Sequence, residues 1–315
     1  MSGKRKGRPL RPGALIAVPT PGSPLIDQSY LKSGVAWLEA QGFRVRLTAH
    51  ANVGKSFKAG PPELRAQDLH EAFADPEVDA VVPLAGGQSG AQVLPYLDYE
   101  LIAANPKPFV AYSELTVLHA AFGKAGLVSF YGPMASALGV LPESTRESWL
   151  RAVTTAAPLG IVDPDGPPAK TVVPGVAEGD LVGGTLSLVD TLLGTPFEID
   201  TRGKILLLED VNEEPARVDR FLTHLRNAGK LQQCAGIWLG DFKRCVPRDK
   251  WPVWGGASLT VEELIDELIV PLGIPAIHGL PVGHSREVVT VPLGVRARLD
   301  AGAGRIELLE AALVE

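Results

Sequence analysis

Three residues stand where their side chains can carry acyl-transfer chemistry: Ser113, Glu209 and His284. Ser113 closes the run Pro108-Phe-Val-Ala-Tyr112, where an apolar strand pattern stops and a helical pattern starts. Such a corner exposes the hydroxyl and turns the next backbone N–H groups, with the positive end of the helix, toward it. It has the character of a nucleophile elbow, although Ala111 and Leu115 occupy the glycine places of Gly-x-Ser-x-Gly. Glu209 ends the apolar run Ile205-Leu-Leu-Leu208, where a carboxylate needs a partner. His284 lies in the loop Gly279-Leu-Pro-Val-Gly283-His284-Ser285, which can present an imidazole to a site. In this scheme Ser113 attacks a carbonyl, His284 takes and returns the proton, and Glu209 fixes the imidazole tautomer. A helix N-cap serine, a structural salt bridge and a solvated loop histidine are the readings the residue types leave open beside it.

A second feature supports the same chemistry. Ala85-Gly86-Gly87-Gln88-Ser89-Gly90 follows the apolar run at 80–84, and glycine lets the backbone approach a ligand closely. The loop can donate a second N–H to an oxyanion from the sheet edge that carries Ser113. It is neither a Walker loop nor a Gly-x-Gly-x-x-Gly fingerprint, so it gives no support to nucleotide binding, and a plain tight turn is the alternative. Asp210, Glu213 and Glu214 read as a solvated turn with helix N-terminal charges. His278 ends a strand pattern, while His50, His70, His119 and His224 sit on helical or exposed stretches without an evident partner. With neither Cys-x-x-Cys nor His-Glu-x-x-His, no metal is expected, and nothing calls for an organic cofactor. Cys234 and Cys245 read as reduced thiols.

These residues need elements to hold them. The first half alternates short apolar runs with amphipathic stretches, predicting strands over 14–18, 44–47, 80–84, 109–112 and 128–130, with helices over 28–41, 62–74, 98–104 and 115–125. That is α/β: a Rossmann- or flavodoxin-like layer sandwich with its ligands at the carboxyl ends of the strands. A Pro- and Gly-rich stretch without a period reads as a linker over 157–175. Beyond it come strands over 204–208 and 235–239, helices over 214–228 and 260–268, and a hairpin around Ala301-Gly302, so the C-terminal domain is α/β and β-rich. The expected division is a basic flexible tail over 1–13, an N-terminal domain over 14–156 carrying the nucleophile, the linker, and a C-terminal domain over 176–315 carrying Glu209 and His284.

Bulk properties narrow the function classes. A chain of 315 residues with 45% hydrophobic and 21% charged residues can bury two cores. A net charge of -6, with basic residues scattered apart from the opening Lys4, Arg5, Lys6, Arg8 and Arg11, argues against a nucleic-acid polymer as partner. No apolar run reaches the roughly 18 residues of a membrane span, and the basic opening lacks the apolar core of a secretory signal. The expected location is the cytoplasm.

From about Ala14 onward the chain resembles the serine LD-carboxypeptidase family, which includes muramoyltetrapeptide carboxypeptidases and microcin C self-immunity peptidases. The resemblance is carried by Arg65-Ala-Gln-Asp-Leu-His-Glu-Ala-Phe-Ala-Asp75, Gly86-Gly87, Leu94-Pro-Tyr-Leu-Asp98-Tyr, Asn105-Pro-Lys-Pro, Tyr112-Ser113, Tyr131-Gly-Pro133, Gly183-Gly184, Leu208-Glu209-Asp210 and Gly283-His284. It implies a peptidase with Ser113, Glu209 and His284 as its triad, which removes a C-terminal residue across an L-to-D bond, such as the D-alanine of a murein tetrapeptide in cell-wall recycling. It further implies oxyanion donors at the N–H of Glu114 and in the Gly86-Gly87 loop, no metal or organic cofactor, and a homodimer. The chain departs from the commoner pattern at Ala85, where Arg is frequent, at Ala111 and Glu114, where Gly and Asp are usual, and at Thr185, where Asn is frequent. A peptidase or amidase acting on aminoacyl or peptidyl nucleotides is the alternative, with Trp251 and Trp254 as stacking candidates. A non-catalytic binder of a small ligand is the alternative of another class.

Overall fold

A computed structural model of the protein describes residues 3–54, 56–247 and 258–315; Trp251 and Trp254 lie outside them. The chain divides into two compact units, one of Met1–Leu159, Arg286–Val295 and Glu310–Glu315, the other of Gly160–Ser285 and Arg296–Leu309.

The first unit is built on β1 (Leu15–Val18), β2 (Arg44–Leu47), β3 (Ala80–Val81), β4 (Val110–Ala111) and β5 (Ser129–Tyr131). Between and beyond them run α1 (Gln28–Ala40), α2 (Pro62–Ala74), α3 (Tyr99–Ala104), α4 (Thr116–Lys124), α5 (Ala135–Leu138) and α6 (Glu143–Thr154). β1 pairs in parallel with β2 and β3, and β4 in parallel with β5. A parallel bridge from Val81 to Phe109 joins the two sets, giving the order β2-β1-β3-β4-β5. This is the flavodoxin-like doubly wound order, whose ligands bind beyond the carboxyl ends of the strands. β1 is a wholly buried apolar run, as a strand covered on both faces must be, whereas the edge strand β2 is largely exposed. Phe73, Phe109 and Phe122 close the core edge to face, with Phe122 5.6 and 5.0 Å from the other two rings.

The basic opening is not a frayed tail. Arg5 continues the sheet by a parallel bridge to Leu127, and its Nη1 donates to Ala103 O at 2.9 Å. Lys4 and Lys6 both pair with Glu310, and Leu10 is buried. These partners are distant in sequence, so no local pattern announces them.

The second unit begins with β6 (Gly160–Ile161) and β7 (Lys170–Val173), which fall inside the stretch read as a linker. It continues with β8 (Val176–Thr185), α7 (Leu186–Thr191), β9 (Ile205–Val211), α8 (Pro215–Asn227), β10 (Gly236–Lys243), α9 (Val261–Leu268) and β11 (Ala276–His278). The chain then contributes β12 (Val291–Leu293) to the first unit, antiparallel on β5, before returning as the hairpin β13 (Arg296–Asp300) and β14 (Arg305–Leu308). The sheet order is β6-β14-β13-β8-β9-β10-β11-β7, with β8 to β11 parallel and antiparallel strands on both sides. β9 lies in its centre, buried from Ile205 to Asp210. Among the described residues no helix is long and apolar enough to cross a membrane.

Candidate active site

The Ser113 corner belongs to the first unit. β4 ends at Ala111, Tyr112 stays extended, and Ser113 turns into the left-handed region at φ 59° to open a short 3-10 turn that leads into α4. A left-handed φ in a residue with a Cβ costs energy and persists only where the surroundings enforce it. The α4 N-cap is Leu115 and no side chain caps it, so Ser113 is not an N-cap serine. Its N–H faces the Tyr131 hydroxyl at 3.4 Å.

The glycine loop packs on this corner. A Cβ built on Gly86 would lie 3.3 Å from the Ser113 Cβ, a tight contact, and 3.5 Å from the Glu114 N, so the glycine packs directly on this corner. Ser23, just after β1, donates its N–H to Gly86 O at 2.8 Å and accepts from Gln88 N at 2.9 Å. Gly86, Ser113 and Glu114 are thus brought together by the carboxyl ends of β3 and β4, with the β1 loop bracing the glycines.

His119 supports the corner from behind and was missed at the level of sequence. Its ring lies 2.7 Å from Ser129 Oγ and 2.8 Å from Ala111 O. A carbonyl only accepts, so Nε2–H donates to Ala111 and Nδ1 accepts from Ser129. Burial pushes this imidazole down to about 4, which keeps it neutral. The expectation that four histidines lack partners is corrected for all of them: His50 pairs with Asp68 and His224 with Asp190, each at 2.8 Å, and His70 accepts from Asp98 N. Each partner is at least 18 residues away or across a fold contact, except Ser129 and Ala111, which β5 and β4 bring alongside α4.

The second unit holds the acid and the imidazole. Glu209 is fully buried on β9 and accepts from His284 Nδ1 at 2.7 Å and from Thr185 Oγ1 at 2.7 Å. With Nδ1–H donating to the carboxylate, Nε2 of the neutral ring is the basic nitrogen. Gly283 makes the approach possible: its φ is +122°, and a Cβ there would come 2.4 Å from Glu209 Oε2. Ser285 donates to Asp241, and Asp241 N donates to Val282 O at 3.0 Å, so the loop bearing His284 is pinned to β10 on both sides of the ring. Thr185, at the end of β8 and in register with Glu209, is a partner the sequence did not reveal.

Asp210 corrects another expectation. It is buried, not solvated, and accepts from Ser187 N and Val211 N at 2.8 Å each. Burial raises its carboxyl to about 6 against those hydrogen bonds. Alternation along the strand sends it to the face opposite Glu209, where it holds the first turn of α7. Among the described residues no group of three or more His, Cys, Asp or Glu is arranged to hold a metal.

A parallel α/β layer carrying a strained serine after β4, and a mixed sheet carrying a buried Glu–His pair, describe a two-part α/β peptidase. The chain belongs to the LD-carboxypeptidase family: residues 16–132 match its N-terminal domain and residues 178–299 its C-terminal domain. It is 38% identical to the "Probable murein peptide carboxypeptidase" of Bacillus subtilis (strain 168), over 98% of this chain and 96% of that one. The solved muramoyltetrapeptide carboxypeptidase from Oxalobacter formigenes is 31% identical with a TM-score of 0.81, covering 96% of this chain and 100% of that one. Microcin C7 self-immunity protein MccF in complex with aspartyl sulfamoyl adenosine is 25% identical with a TM-score of 0.86, covering 98% and 99%.

Proposed function

We propose that this protein is a serine LD-carboxypeptidase that releases the terminal D-alanine of murein tetrapeptides, with Ser113 as nucleophile, His284 as general base and acid, and Glu209 as the group that orients and stabilises the imidazole. One observation carries the catalytic reading: Glu209, with no exposure to solvent, is engaged by His284 Nδ1 and by Thr185, so the ring has one tautomer and one orientation. The substrate reading is supported by relatives named for murein peptides that align over nearly the whole chain.

Ser113 Oγ attacks the carbonyl carbon of the L,D bond as its proton passes to His284 Nε2. The tetrahedral oxyanion is met by the N–H groups of Glu114 and of the Gly86-Gly87 loop. Collapse breaks the C–N bond, the D-alanine amine leaves with the proton from His284, and an acyl-Ser113 ester remains. Water, deprotonated by His284, attacks the ester and restores Ser113. In this reading the protein works as a cytoplasmic homodimer.

The test is release of D-alanine from L-Ala-γ-D-Glu-meso-diaminopimelyl-D-Ala by wild type and by Ser113→Ala. Release by wild type with a loss of several orders of magnitude in the variant is expected. Equal release by both proteins overturns the nucleophile assignment. A second reading is favoured by the likeness to MccF bound to aspartyl sulfamoyl adenosine. Cleavage of that compound with no D-alanine release would move the substrate class to aminoacyl nucleotides.

A further inference from the structure

The residue after the nucleophile points its carboxylate inward. Glu114 is 9% exposed and accepts from Gly90 N at 2.6 Å. Gly90 opens the 3-10 stretch Gly90–Tyr96, whose first amides have no partner inside the stretch, and Ser89 before it makes no side-chain cap. Glu114 therefore supplies from another element the acceptor that a local cap would supply. Burial raises its carboxyl to about 7, although the amides of Gly90 and Ala91 and the charge of Arg65 pull the other way. An apolar or amide side chain of similar size would avoid that cost, so the carboxylate is held there by what it binds.

Arg65, on α2, faces the same place. Its side chain is 1% exposed, and Nη1 donates to Pro21 O at 2.6 Å and to Ser89 O at 3.0 Å, while Nη2 reaches Gln92 Oε1 at 3.2 Å. One guanidinium thus clamps the loop after β1, the end of the glycine loop and the start of the 3-10 stretch. Ser89, between the clamp and the Glu114 bond, sits at a left-handed φ of 68°. The glycine loop is fixed at its far end by Arg65 and Glu114 and at its near end by contact of Gly86 with the Ser113 corner.

We propose that the Glu114 side chain is a positioning residue of the acyl-transfer site, which through Gly90, and opposite Arg65, holds the 86–90 loop against the Ser113 corner so that its N–H groups stay aimed at the oxyanion. The inference rests on the reading of Gly86, Gly87 and Glu114 as the oxyanion site. It assigns to the side chain a task distinct from that of the Glu114 N–H.

Two measurements on the full chain test it. In steady-state release of D-alanine, Glu114→Ala lowers kcat by roughly tenfold to a hundredfold with KM within about twofold, a part of the loss expected when an oxyanion donor is removed outright. Glu114→Gln, which keeps the length and one acceptor oxygen, recovers about tenfold over Glu114→Ala. In hydrogen exchange read by mass spectrometry, the 86–90 amides of Glu114→Ala exchange at least about tenfold faster than wild type, while peptides from the second unit do not change. A wild-type kcat in Glu114→Ala, a loss confined to KM, or Glu114→Gln as slow as Glu114→Ala overturns the inference. Wild-type exchange at 86–90 overturns it too, without any substrate. Faster exchange together with full turnover by Ser113→Ala would instead support the tie while sinking the nucleophile reading.

Discussion

Glu209 ends its work inside a strand buried on both faces, so each carboxylate oxygen must find its donor within the fold. One oxygen is satisfied by His284 and the other by Thr185. Replacing Thr185 by Val keeps the shape and removes one donor, which leaves the carboxylate less fixed and a more basic partner for the imidazole. We expect Thr185→Val to lower kcat about tenfold with little change in KM, and Thr185→Asn or Thr185→Ser, which restore a donor, to recover most of it. Equal kcat in Thr185→Val would show that the Thr185 hydroxyl is not needed to fix the carboxylate. Gly283 sets a harder limit, because alanine there must both hold a φ of +122° and place its Cβ 2.4 Å from Glu209 Oε2. Gly283→Ala should cost roughly 2–4 kcal/mol of stability by denaturant titration and abolish the Glu209–His284 bond. The residues proposed to carry this chemistry stand out in the sequence because each breaks its local pattern: a hydroxyl after an apolar run, a carboxylate at the end of four apolar residues, an imidazole after Gly-x-x-x-Gly. Thr185, Arg65 and His119 do not, because each continues its own pattern and acquires its role only from a partner brought up by the fold.

β1 and β2 were legible close to their true limits, whereas β9, read over 204–208, runs on to Val211, because its apolar signal stops at the buried Glu209 and Asp210. β6 and β7 were not: two of the four β7 residues are exposed, and both strands lie at the edges of the eight-stranded sheet, paired only with distant β14 and β11. α6 escaped for a different reason. Its buried stripe of Thr145, Trp149, Ala152 and Val153 has helical spacing but only two strongly apolar members. The docked N-terminal segment is the clearest case of non-local order. Deleting residues 1–8 removes the Arg5–Leu127 bridge, the Arg5 bond to Ala103 O and both lysine contacts to Glu310. Exposed ion pairs contribute little, so the backbone bonds and the part-buried Arg5 and Lys6 carry the effect. We expect the truncated chain to melt several degrees lower in calorimetry, as a loss of roughly 2 kcal/mol would give. An unchanged midpoint would mean that this segment adds nothing to the first unit.

Across the molecule, buried titratable groups pull stability in opposite directions as pH changes. Glu114 binds its proton more tightly when folded, at about 7 against an ordinary 4.5. The stability it contributes is therefore present below about pH 4.5 and is lost as pH rises through 7. Asp210, raised to about 6, adds a fall of the same sign between 3.8 and 6. His119 acts the other way, because at about 4 against 6.5 it stays neutral in the fold while the unfolded chain takes up a proton. Its contribution is present above pH 6.5 and is lost as pH falls through 4. Between pH 4.5 and 6 two falling contributions, from Glu114 and Asp210, meet one rising contribution from His119, so the wild-type profile should fall by only about 2 kcal/mol there although each contribution amounts to about 3 kcal/mol. Single variants separate them. Between pH 4.5 and 8, Glu114→Gln should gain about 3 kcal/mol on the wild type in urea unfolding, since the amide has no proton to lose. Between pH 7 and 4, His119→Gln should gain a similar amount, since the unfolded variant has no imidazole to protonate. Profiles that run parallel to the wild type would mean that neither group titrates differently in the fold.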